Sequence, residues 1–128
     1  MSALSDILCV FLGGCFGAML RGFLSARFDG NILESYPWGT FAANMAASLL
    51  LGIGMGAMLS PAVPRAFGMF FDVGFCAALS TFSSLAWQIA ELLRNKFYAR
   101  TLVYAFATFA FGLVLFLIPY LVFGVFMA

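Results

Sequence analysis

From residue 73 to residue 90 the chain carries no charged side chain, a run of 18 residues. Wound as a helix, such a run rises about 27 Å, close to the thickness of a bilayer's hydrocarbon core. Three more apolar runs accompany it, over residues 4–28, 36–64 and 98–126, separated by short charged or proline-containing turns. Hydrocarbon supplies no water for unpaired backbone groups, so segments of this length cross it as helices. Of the 128 residues, 65% are hydrophobic and 9% are charged, against about 25% charged in soluble domains. The expectation is an all-α membrane protein, one domain over residues 1–128 with four transmembrane helices. The third, over residues 66–93, is unusual. Its centre holds Ser80, Thr81, Ser83 and Ser84, where lipid alone favours Leu or Val. Polar groups at that depth face protein or a water-filled path. This predicts a third helix interrupted near its middle, with hydroxyls and backbone groups placed to meet an ion.

Several function classes are excluded. A net charge of +1 gives no basic field for nucleic acid. There is no His, hence none of the commonest metal ligand and general base. Cys9, Cys15 and Cys76 are scattered through apolar runs without metal-ligand spacing, and read as buried thiols. No nucleophile–base pair is evident, so an enzyme is not expected. No run has a central carboxylate to titrate, which argues against a proton-coupled exporter. The first charge is Asp6, with no basic segment before the first apolar run, which therefore reads as a membrane helix rather than a cleaved signal.

Polar and small residues recur at four-residue intervals, which places each set on one helix face. The first run carries Gly13, Gly17, Arg21 and Ser25; the second Thr40, Asn44, Ser48, Gly52 and Gly56; the fourth Tyr104, Thr108 and Gly112. Gly13 and Gly17 form a small-xxx-small pair suited to close helix approach. Arg21 either snorkels to headgroups or faces an aqueous mouth. Asn44 either bonds between helices or lines a polar path. Thr108 either bonds back to its own helix or faces that path. In the third run Phe82, Leu85 and Gln88 share a face, and Asp72 is expected at the interface or against Arg65. Pro119 is expected to kink the end of the fourth helix.

These stripes offer hydrogen-bond donors without fixed negative charge, which suits an anion or a neutral solute better than a cation. The positive edge of the Phe82 ring can also face an anion. A small hydrated anion needs such groups to replace its water shell, as fixed dipoles do in ion filters. Unwound carbonyls between Ala77 and Ser80 offer a separate use, coordination of a cation.

Gly13-Gly14-x-x-Gly17-x-x-x-Arg21, Pro37-x-Gly39-Thr40-x-x-x-Asn44 and Gly74-Phe75-Cys76-x-x-Leu79-Ser80-Thr81-Phe82-Ser83 occur in this order. Together they resemble the CrcB/Fluc family of fluoride channels over nearly the whole chain. The resemblance implies an antiparallel dimer, two narrow fluoride pores along the subunit interface, and a structural sodium ion at the breaks of the third helices. It implies pore roles for Asn44, Thr81, Phe82, Ser83, Tyr104 and Thr108, beside the Thr40 hydroxyl on the second-helix stripe, and places Arg21 near the vestibule. Sodium ligation falls to the backbone carbonyls of Ala77 and Ser80, where the family carries Gly and Thr. Alanine resists unusual dihedrals that glycine accepts. Leu85 replaces a second pore phenylalanine, and Gln88 stands where many members have Glu.

Arg27, Arg94, Lys96 and Arg100 lie in or beside the loops after the first and third runs, with Arg21 nearby, whereas the other side has Arg65. By the positive-inside rule those loops are cytoplasmic and both termini lie outside. This bias suits one fixed-orientation half of a heterodimer with a paralogue, the alternative to a homodimer. The expected protein is a passive fluoride exporter subunit, multi-pass in a bacterial plasma (inner) membrane, in contact with lipid and without nucleic acid. The alternatives are a degenerate partner subunit that does not conduct, and a small multidrug-resistance-type exporter.

Overall fold

A computed structural model describes residues 2–31, 33–80 and 82–127. All regular structure in these residues is helical. Helix α1 spans Ala3–Phe28, and α2 spans Trp38–Ala57. Helix α3, residues 65–79, is one continuous winding in three parts: Arg65–Phe67, a π-helical Gly68–Cys76 and Ala77–Leu79. Helix α4 is Phe82–Arg94 and α5 is Tyr98–Met127. Four stretches are long and apolar enough to cross a membrane: α1, α2, the span Arg65–Arg94 that contains α3 and α4, and α5.

Each boundary has a local cause. The Ser2 side chain accepts from the backbone N–H of Ser5 at the start of α1, a side-chain cap for one orphan donor. Pro37 precedes α2 but gives its N-terminus no side-chain cap. Helix α3 stops at Leu79 because Ser80 turns extended, with φ −73° and ψ 154°. Thr81, expected to line the pore, lies outside the described residues. Pro119 sits inside α5, which stays helical on both sides of it.

The packing is set by close backbone approaches. Gly13 lies against the Phe70 carbonyl, Gly17 against the Phe75 carbonyl, and Gly74 against the Val10 carbonyl. Rising numbers on α1 meet rising numbers on α3, so the two helices run parallel. A β-carbon at Gly13 or Gly17 would fall inside those carbonyl oxygens. The same parallel relation holds where α2 meets α5: Ser48 faces Gly112, Gly52 the Phe116 carbonyl, and Gly56 the Phe123 ring. Between these two pairs lies a small core of Ala43, Ala47 and Leu79. Large side chains such as Phe23, Leu102, Phe106 and Val125 point outward, as expected for helices that meet lipid.

Asp72 differs from its expectation. Arg65 pairs instead with Asp6 at 3.0 Å. Asp72 is 9% exposed, and its Oδ1 has no hydrogen-bond partner. It is aimed at α2, where a β-carbon on Gly54 would collide with that oxygen.

The seam between α1 and α3 makes a simple test. Gly17→Ala is expected to cost about 1–3 kcal/mol by overpacking and to lower the thermal unfolding midpoint in detergent. A β-carbon at Gly22 meets nothing within 4 Å, so Gly22→Ala should leave the midpoint unchanged or raise it, since Ala is the better helix former by about 1 kcal/mol.

Candidate functional site: a polar trough and its hydrogen-bonded mouth

The four-residue stripes of α2 and α5 face one another because their small residues, Gly52, Gly56 and Gly112, let the helices close. The α4 N-terminus completes the third wall. The result is a trough whose polar lining is Asn44, Ser48, Ser80 and Thr108, with Phe82, Leu85 and Phe109 beside them. No charged residue lines it among the described residues. Phe82 is 75% exposed and stands at its open side, whereas Leu85 is buried. The Thr108 hydroxyl donates to the Tyr104 carbonyl one turn back at 2.8 Å. The residue therefore bonds to its own helix and also lines the trough. Its hydrogen is committed, so a passing anion would have to draw it away.

A second cavity lies where α1 ends and α2 begins. Ser25, Asp29, Asn31, Ser83, Ser84, Gln88 and Glu91 contribute to its wall. Behind it runs a string of hydrogen bonds across four helices. Tyr104 donates its hydroxyl to Gln88 Oε1 at 2.8 Å. Gln88 Nε2 donates to Thr40 Oγ1 at 3.0 Å. Thr40 Oγ1 donates to Asp29 Oδ2 at 2.7 Å, and the Thr40 backbone N–H to Asp29 Oδ1 at 3.0 Å. Ser25 also donates to Asp29 Oδ2, at 2.7 Å. Thr40, 1% exposed, is the hub. The Tyr36 ring stacks on Tyr104 with centroids 6.4 Å apart, and the Arg100 guanidinium lies 5.4 Å over Tyr36, close enough for cation–π attraction.

The expected site residues therefore fall into groups. Asn44, Phe82, Ser80 and Thr108 share the trough; Ser83 is at the mouth; Thr40 and Tyr104 belong to the string behind it. Arg21 joins neither cavity wall, and its buried Nε has no hydrogen-bond partner. Asp29 is the participant that the stripes did not single out, and Gln88, placed on a face with Phe82 and Leu85, turns out to bond Thr40 and Tyr104. A signal for Asp29 exists in the sequence. It follows α1 directly, where a negative side chain opposes the helix dipole, and it precedes a helix whose own entry, Tyr36-Pro37, has no capping side chain. A carboxylate there serves the next helix.

The residues implied for sodium fit a cation. Ala77 has ordinary helical geometry, φ −65° and ψ −39°, so its β-carbon is tolerated without strain. Ending α3 at Leu79 deprives its last carbonyls of partners within that helix, and the negative end of the helix dipole faces the same place. Ala77 and Ser80 are both exposed, and the Ala77 carbonyl accepts from the Ser80 hydroxyl at 3.2 Å. Among the described residues no group of three or more Cys, Asp or Glu could hold a metal.

Comparison with known proteins bears on this geometry. A family model described as "CrcB-like protein, Camphor Resistance (CrcB)" matches residues 8–120. A fluoride-specific ion channel FluC of Thermus thermophilus is 34% identical over 113 residues, covering 88% of this chain and 89% of that protein. Its namesake in Bacteroides fragilis is 32% identical over 113 residues, covering 86% and 89%. Another in Thermococcus kodakarensis is 38% identical over 92 residues, covering 71% and 73%.

Removing one hydroxyl should weigh the string. Tyr104→Phe leaves Gln88 Oε1 buried without its donor and is expected to cost about 1–3 kcal/mol, read as a lower unfolding midpoint. Tyr120, on the same helix, stacks on Phe116 and donates no hydrogen bond, so Tyr120→Phe should shift the midpoint far less.

Proposed function

The chain belongs to the CrcB family, and on that membership we propose that it is a subunit of a fluoride-selective channel. The channel lets fluoride leave the cytoplasm passively and carries out no covalent chemistry. The observation that carries this reading is the trough of Asn44, Ser48, Ser80, Phe82 and Thr108, free of charged residues among those described. A carboxylate in that wall would repel an anion, and a fixed cation would trap it. Amide and hydroxyl groups with one exposed aromatic edge can take the place of part of a fluoride ion's hydration shell and still release it.

The protein is a multi-pass integral membrane protein, and its proposed location is a bacterial inner membrane. The trough is open along one side, where Phe82 is exposed. A second subunit in antiparallel orientation would close it into a tube and cover that ring. The same arrangement brings the ends of two α3 helices together, so that carbonyls of Ala77 and Ser80 would hold one sodium ion between them. When bound, the ion supplies positive charge against two negative helix ends. Thr81, Ser83, Thr40, Tyr104 and Arg21 are proposed along the route or its vestibule.

Leu85 favours one variation. It fills the trough wall without a polarised ring edge, and in this variation the partner is a paralogue that provides the second aromatic. Fluoride efflux from liposomes separates the two cases. Efflux with this protein alone supports a self-sufficient dimer; efflux that needs a paralogous subunit supports the heterodimer; none in either case overturns the reading.

Asn44→Asp is expected to cut fluoride efflux by more than about tenfold. A unit charge about 4 Å from the path, at an effective dielectric near 20, is worth about 4 kcal/mol, and about 1.4 kcal/mol already gives a factor of ten. Undiminished flux would remove Asn44 from the path.

A further inference from the structure

Each hydroxyl and amide in the string Tyr104–Gln88–Thr40–Asp29 could, taken alone, point either way. Tyrosine and threonine hydroxyls both donate and accept, and the glutamine amide has an end of each kind. Asp29 is the one member that, when ionised, only accepts. It is also fixed in place from both sides. Its backbone N–H bonds to the Ser25 carbonyl at 3.0 Å and closes α1, while its carboxylate takes the Thr40 backbone N–H at the start of α2. That backbone donor cannot reverse.

The rest follows in sequence. The single hydroxyl hydrogen of Thr40 must lie on Asp29 Oδ2, so the Thr40 oxygen is left to accept. Ser25 Oγ lies 3.4 Å from it, and of the two ends of Gln88 only the nitrogen can serve it at 3.0 Å, which fixes the rotation of the amide. Its oxygen then faces Tyr104, whose hydroxyl must donate. One carboxylate sets the direction of three successive hydrogen bonds, across α2, α4 and α5.

We infer that Asp29 is a positioning residue for the anion path, and that the string behind the mouth works with a single acceptor-only group, supplied here from position 29 and not from position 88. Asp29 and Gln88 both line the mouth cavity, and Thr40 joins them from behind. With the hydrogens of Thr40 and Tyr104 committed, an entering fluoride ion meets a fixed set of dipoles that does not reorganise as it passes. Such preorganisation is what makes buried polar groups effective toward a charge. A second carboxylate at position 88 would compete with Asp29 for the one Thr40 hydrogen. This accounts for glutamine there. The inference rests on the fluoride-path reading for its use, although not for the hydrogen-bond logic.

Four proteins test it: the unmodified chain, Asp29→Asn, Gln88→Glu and the double variant. An asparagine at position 29 has one acceptor oxygen, which the Thr40 backbone N–H claims, so its amino group donates to the Thr40 oxygen and the Thr40 hydrogen can no longer point to position 29. In Gln88→Glu, two carboxylates contend for one hydrogen. In the double variant the lone carboxylate has moved along the string and accepts from both Thr40 and Tyr104: the Tyr104 hydroxyl keeps its direction, the Thr40 hydroxyl reverses to point at position 88, and each hydrogen again has a single fixed acceptor. Each single variant is expected to lower fluoride efflux from liposomes about tenfold, equivalent to about 1.4 kcal/mol, and to lower the unfolding midpoint. The double variant should recover to within about threefold of the unmodified protein and unfold at a higher temperature than either single variant, a non-additivity between residues that share Thr40 as a partner.

If Asp29 is only a helix cap, its loss costs the same in either background, the two losses add, and the inference fails. It also fails if Gln88→Glu alone matches the unmodified protein. Should the unmodified protein pass no fluoride, the channel reading falls, and the unfolding midpoints of the four proteins still decide whether Asp29 sets the direction of the string.

Discussion

Within a bilayer core there is no water to complete an unfinished hydrogen bond, and every part of this molecule answers to that constraint. Its backbone is helical across four spans, and its outward residues are apolar. Its polar side chains gather where helices meet one another. Thr40 shows the principle most fully. It is almost entirely buried, and its hydroxyl and backbone N–H both end on Asp29 while Gln88 donates to its oxygen. A buried hydroxyl left without partners would cost several kcal/mol on transfer from water; held in this string, it fixes α1, α2, α4 and α5 relative to one another.

The same constraint gives meaning to the places where it is not met. The Ser80 backbone leaves the helix and ends the ladder of α3 near the middle of the Arg65–Arg94 span, which leaves its last carbonyls without partners in that helix. Such irregular backbone persists only where protein or an ion attends to it. Asp72 is the sharper exception, a carboxylate oxygen buried against Gly54 without a donor. It lies in the π-helical part of α3, and π-helical turns recur at functional sites. Close packing of glycine against backbone carbonyls on the α1 side holds that winding in place.

Under the proposed function, the trough and the mouth divide the work of an anion path. In the trough, Asn44, Ser48 and Thr108 offer groups that can turn toward an ion, as the Thr108 hydroxyl must if it is to leave the Tyr104 carbonyl. At the mouth the groups are already bonded to one another, and Asp29, in the cavity wall, accepts from Ser25 and Thr40. Negative charge is thus kept at the end of the route and out of its middle.

Much of this was legible in the order of residues. Long uncharged runs can only be membrane helices, and four-residue spacing fixes which side chains share a face. So the four spans, the seam at Gly13 and Gly17, and the common stripe of Asn44 and Ser48 follow from the sequence, as does the hydroxyl cluster after Leu79. Periodicity describes one helix at a time, however, and cannot say which faces meet. That Gln88 would reach Thr40, 48 positions away, that Asp29 would cap a helix other than its own, and that Arg65 would choose Asp6 over Asp72 depend on how far apart the helices stand and how they are turned. Those distances are decided by glycine contacts between chain segments remote in sequence, and tertiary packing alone could settle them.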